Sequence, residues 1–83
     1  MSRVYSEDEL HALIAIRAAR DQMGRIAHEC AQADTDVRWS RGVVNDEDTR
    51  DRIKALADRI VMLEREAGII LAELDRLRRE VQA

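Results

Sequence analysis

Residues 53–81, IKALADRIVMLEREAGIILAELDRLRREV, place an apolar side chain at Ile53, Leu56, Ile60, Leu63, Ala67, Ile70, Leu74, Leu77 and Val81. The intervals alternate between three and four. An α-helix turns once every 3.6 residues, so this rhythm draws one continuous stripe along a slightly underwound helix, as coiled-coil packing requires. The first half of the chain repeats the rhythm at Ala12, Ile16, Ala19, Met23, Ile26, Cys30, Ala33 and Val37. Two such stripes in 83 residues predict an all-α chain, a single domain over 1–83.

Composition points the same way. Charged residues make up 37% of the chain and aromatics 2%, with no Phe and no Pro. Strands need β-branched and aromatic runs with turn punctuation, and none are present. The charges fall in register with the apolar stripes rather than in blocks, which separates the chain from disordered sequences.

The helix ends are marked. Ser6-Glu7-Asp8-Glu9 has the form of a capping box, and the three acids suit the positive end of a helix dipole. Gly42 stands where a left-handed residue would close the helix, with Val43 folding back toward Val37 in a Schellman motif. Asn45 or Asp46 can cap the next helix. The expectation is a helix over about residues 7–41, a turn over about 42–45 and a helix over about 46–81. So short a connection cannot support a parallel return, so the helices fold back as an antiparallel, coiled-coil-like two-helix hairpin.

One stripe pair offers a single contact line, a thin return for ordering about 70 helical residues at roughly 1.5 kcal/mol each. Apolar residues off the stripes provide more surface. With the chain folded about residues 43–44, Ile14 and Ala18 of the first helix come close to Ile69 and Ala72 of the second, beside Val61 and Gly68. Gly68 leaves room for a neighbour. These six residues are expected to make a self-association patch that turns the hairpin into a homodimeric four-helix bundle.

Residues able to carry chemistry are few. His11, His28, Glu29 and Cys30 are the metal-ligating types on the first helix, but His28 and Cys30 are two apart and diverge around it. No carboxylate lies on either stripe, where a buried acid–base pair would need to be. Arg17, Arg20 and Arg25 on one long helix resemble in outline the small all-helical chorismate mutases; the third helix and the matching Lys or Gln set are missing. The expectation is a non-enzyme with no cofactor and no metal.

Binding surfaces are easier to name. Trp39, near the turn and followed by Val43 and Val44, is expected to anchor a partner protein, since Trp is enriched at binding hot spots. A Trp near a hairpin turn also resembles the Trp-x-Gly substrates of type VII secretion, although here the spacing is Trp-x-x-Gly and no Tyr-x-x-x-acid signal follows. Arg76, Arg78 and Arg79, with Arg3, form the strongest basic cluster and define an alternative, a small regulator that contacts nucleic-acid phosphates. A net charge of −3 and the lack of interleaved aromatics argue against it. No apolar run nears the roughly 20 residues of a membrane span, and the first residues lack the apolar core of a signal peptide. With one cysteine, this reads as cytoplasmic. The function expected is that of a self-associating protein-interaction module: adaptor, inhibitor, assembly factor or phage-encoded modulator.

Overall fold

The computed structural model describes residues 4–83, and its first helix begins where the local chemistry sets it. The Ser6 hydroxyl accepts from the Glu9 amide at 3.1 Å, and the Glu9 carboxylate accepts from the Ser6 amide at 3.3 Å. This reciprocal pair satisfies two donors that a helix start leaves open. Helix α1 then runs Glu7–Val43 and helix α2 runs Glu47–Gln82, packed against each other in a rod of 64 × 19 × 13 Å.

The turn corrects the sequence reading. No glycine among the described residues has a positive φ, so Gly42 does not close the helix and no Schellman motif forms. Instead α1 continues through Gly42 and Val43, Val44 ends it in an extended conformation, and Val43 is exposed. The physical reason lies three residues on. Asp46 caps α2 in an extended conformation, its carboxylate accepting from the Thr49 amide at 2.9 Å and from the Thr49 hydroxyl. Extended residues therefore suffice to reverse the chain, and the turn is centred near residue 45.

A second correction concerns which sides of the helices meet. The half-buried and buried positions of α1 include Leu13, Ile16, Arg20, Met23, Ala27, Cys30, Asp34, Val37 and Arg41. Those of α2 include Ile53, Ala57, Ile60, Glu64, Ala67, Leu71, Leu74, Arg78 and Val81. Ile16, Met23, Cys30 and Val37 belong to the predicted stripe, as do Ile53, Ile60, Ala67, Leu74 and Val81. The other half of each seam is displaced in part by one residue: Glu64 stands where Leu63 was expected and Ala27 where Ile26 was, while Ala19, Ala33 and Ile70 stay half-buried beside Arg20, Asp34 and Leu71. At 100° per residue, the midline of each apolar stripe lies about 50° away from the line joining the helices.

Close approach explains the rotation. The only buried apolar residues among those described are Cys30, Ala57 and Ala67, all small. Gly24 lies against Leu71, whose Cδ1 is 3.6 Å from where a Cβ on Gly24 would stand. On the same flank Arg20 forms an ion pair with Asp75, and Arg38 reaches Asp58 at 3.3 Å. Small residues bring the backbones together, and long charged side chains close one edge.

Gly42, helical and with no atom within 4 Å of an added Cβ, sets up a direct check. Gly42→Ala should stabilise the protein by about 0.4–1 kcal/mol, read as a higher urea midpoint at fixed chain concentration. A left-handed Gly42 would give a loss instead.

Two exposed carboxylates contribute to the acid limb. Hydrogen bonds from the Thr49 hydroxyl and amide hold the Asp46 carboxyl below its ordinary value. A hydrogen bond from Lys54 does the same for Asp58 against desolvation, with a lesser share from Arg38. A lowered folded pKa means the unfolded chain takes up the proton first, so this stability is present above the unfolded pKa of about 4 and is lost as pH falls through the lowered values. The double substitution Asp46→Asn, Asp58→Asn should flatten the loss of helical circular dichroism below about pH 4. An unchanged acid limb would show that these groups do not set it.

Candidate functional site

Antiparallel helices give the 50° offset a consequence. Turned in the same rotational sense on each helix, the two displaced half-stripes arrive on one face of the hairpin. That face carries Leu56, Leu63, Ile70 and Leu77 from α2 and Ala12, Ala19, Ile26 and Ala33 from α1. Leu56, Leu63 and Leu77 are 52%, 56% and 44% exposed, although the rhythm of the sequence assigns all three to the interior. Arg52 and Arg59 flank Leu56 in a shallow depression at the turn end of this face.

The self-association patch expected from the sequence lies on the other side of the rod and is divided. Ile14, Ala18, Gly68, Ile69 and Ala72 are exposed and Val61 is half-buried. Arg20–Asp75 and Gly24–Leu71 fix the register between the helices. Ile14 lies six residues toward one end from Arg20, and Ile69 six toward the other from Asp75, so the two are about 18 Å apart along the rod at 1.5 Å per residue. Ile14 and Ala18 instead share a groove with Leu10, Arg17, Arg78 and Gln82. The Arg20–Asp75 and Gly24–Leu71 contacts centre the antiparallel register near residues 47–48, rather than 43–44, and so separate the pairs. Gly68 has open space around it, with nothing within 4 Å of an added Cβ.

At the tip, Trp39 is 71% exposed and Val43, one turn further along the same face of α1, is also exposed. Val44 is half-buried. Trp39 therefore does not cover the turn; Ser40 beside it donates its hydroxyl back to the Val37 carbonyl at 2.6 Å.

The basic cluster does not converge. Arg78 turns into the seam, half-buried, with a guanidinium nitrogen 3.7 Å from Asp75. Arg76 and Arg79 are exposed, three residues apart on α2. Arg3 lies outside the described residues. Asp75 pairs with Arg20 and Arg78. The Arg20–Asp75 pair is the contact the sequence reading missed; a register about two turns off hides it, and no local spacing announces it.

His11 and His28 are exposed and Cys30 is a buried free thiol. Among the described residues, no group of three or more His, Cys, Asp or Glu is placed to hold a metal ion. Among them, too, no helix is long and apolar enough to cross a membrane. Comparison with protein-family models, curated proteins and solved structures gives no match to this chain.

Arg20 and Asp75 are 36% and 21% exposed, which puts their pairing at the upper end of the surface range. A double-mutant cycle of Arg20→Ala and Asp75→Ala should give a coupling of about 0.5–1 kcal/mol that falls as salt is raised. Zero coupling at low salt would show that the pair does not fix the register.

Proposed function

We propose that this chain is a non-enzymatic helical-hairpin interaction module, an adaptor, inhibitor or assembly factor, that works as a homodimeric four-helix bundle and offers its turn end to a partner protein. The observation that carries this reading is the mismatch between seam and surface. The buried apolar residues among those described are three small ones, while Leu56, Leu63, Leu77, Ile14, Ile69 and Trp39 remain exposed. A two-helix contact this thin leaves the entropy of two 50 Å helices poorly offset, and covering the exposed apolar side chains in a bundle supplies what is lacking.

The tip supports the second half of the reading. An exposed Trp adjoining an exposed Val, on a helix end held by a capped turn, has the makings of a rigid anchor with two side-chain torsions to order on binding. The buried, unpaired Cys30 suits a reducing cytoplasm.

Sedimentation equilibrium at tens of micromolar should show a species of twice the chain mass, and a monomer there would defeat the reading. Trp39→Ala should keep the helical circular dichroism and the oligomeric state while lowering affinity for the partner by about 2 kcal/mol or more, the loss typical of a hot-spot Trp. Unchanged affinity would move the partner site away from the tip.

A further inference from the structure

Resting on the proposal of self-association, we infer which face is covered, by what and in what symmetry: the face of Leu56, Leu63, Ile70 and Leu77 is covered by a second copy of this chain, related by a two-fold axis parallel to the rod, so that α1 of each copy lies on α2 of the other.

Direction is the first ground. In a four-helix bundle of square cross-section, the bundle centre lies 45° away from the line joining neighbouring helices. The apolar stripes of this hairpin point about 50° away from that line, both toward the same face. A chain built to end as a hairpin would aim its stripes along the line. This one aims them at a centre that two further helices must complete.

Area is the second. A folded monomer of 9.5 kDa exposes about 5,000 Å² on the usual scaling with mass. This hairpin exposes 6513 Å². The excess, about 1,500 Å² per chain, exceeds the roughly 800 Å² per partner that a stable interface of ordinary size removes.

Shape selects the occupant and its symmetry. The register set by Arg20–Asp75, Gly24–Leu71 and Arg38–Asp58 brings Ala19 within a turn of Leu77, Ile26 within a turn of Ile70, and Ala33 within a turn of Leu63. At the outer two of these levels α1 offers a small side chain and α2 a large one, and at the middle level both offer isoleucine. A two-fold axis along the rod keeps every residue at its own level and sets the leucines of one copy over the alanines of the other. The Ala19–Leu77 and Ala33–Leu63 layers then each hold two small and two large side chains in alternation, the volume matching that close packing asks for, and the Ile26–Ile70 layer between them is large throughout. A two-fold axis across the rod would stack α2 on α2, large on large, and leave α1 facing α1 across a gap. The surface is thus complementary to itself in one arrangement, as an isologous interface requires.

The test uses the full chain with Cys30→Ala and a spin label on Asn45→Cys at the turn. The expected result is a dimer with the two labels within about 35 Å, as helices packed about 8–10 Å apart with flexible label arms allow. Leu63→Glu should weaken the dimer by roughly a hundredfold or more, since it buries a charge without a partner. Ile69→Glu should leave it unchanged. Labels separated by close to the 64 Å rod length would overturn the inferred symmetry, and dissociation by Ile69→Glu with Leu63→Glu still dimeric would overturn the face. Either result would leave self-association standing, whereas a monomeric parent chain would overturn both.

Discussion

Three residues, Val44 to Asp46, separate the two helices, and that shortness governs the rest of the molecule. It makes the helices antiparallel. In an antiparallel pair, rotating both helices in the same sense about their own axes carries their stripes to one face; in a parallel pair it would carry them to opposite faces. The 50° rotation is modest, yet it collects two apolar half-stripes into a single surface. Had the connection been a long crossover, the same sequence rhythm would have left two unrelated narrow strips.

What drives the rotation is the contest between burying large side chains and bringing backbones close. Gly24, Ala27, Cys30, Ala57 and Ala67 let the helices approach, and dispersion attraction rewards approach steeply. The flank that moves into the seam carries Arg20, Asp34, Arg41, Glu64 and Arg78. Such residues need not be buried to serve there, because their aliphatic stems cover apolar neighbours while the charged ends stay near water. The Nε atoms of Arg41 and Arg78 are nevertheless buried without a hydrogen-bond partner. That edge is already closed by charge, and a second layer of helices laid upon it would bury more. The leucine face carries Arg52 and Arg59 beside Leu56 at its turn end, while its central row is apolar, which makes it the better side to cover.

The all-helical hairpin was legible in the sequence because its signals are local. A capping box at Ser6, acids at each helix start and seventeen apolar positions in strict alternation need no knowledge of the partner helix. Even so, the spacing fixes only the set of residues on a stripe; which way the stripe faces depends on the neighbour. Val37 and Ile60 were placed correctly because they sit on the shared half of the pattern. Leu63 and Leu56 were misplaced because a one-residue displacement moves a side chain by 100° while leaving the 3–4 rhythm intact. Gly42 misled for a related reason: a glycine near a helix end commonly terminates it, but here Asp46 and Thr49 already provide the turn. The Arg20–Asp75 pair spans 55 positions, so only the register reveals it. The exposure of Trp39 rests on the fold rather than on spacing, since a Trp one turn from a loop can cover that loop or leave it.

Symmetry ties the covered face to the tip. In a bundle whose two-fold axis runs along the rod, both Trp39 side chains lie at the same end, on the outer sides of the two α1 helices. A partner with two equivalent pockets, or two partners held together, would meet both at once. The second contact then becomes intramolecular, and the gain in apparent affinity depends on spacing rather than on any new interaction. With the axis across the rod, the two tips would sit at opposite ends of a 64 Å molecule and each would bind alone. A small surface such as one Trp and one Val gives limited affinity by itself, so the parallel arrangement is the one in which a weak tip becomes an effective one. Self-association and partner binding are in that case one mechanism, with the leucine face setting the distance at which the two tryptophans are presented.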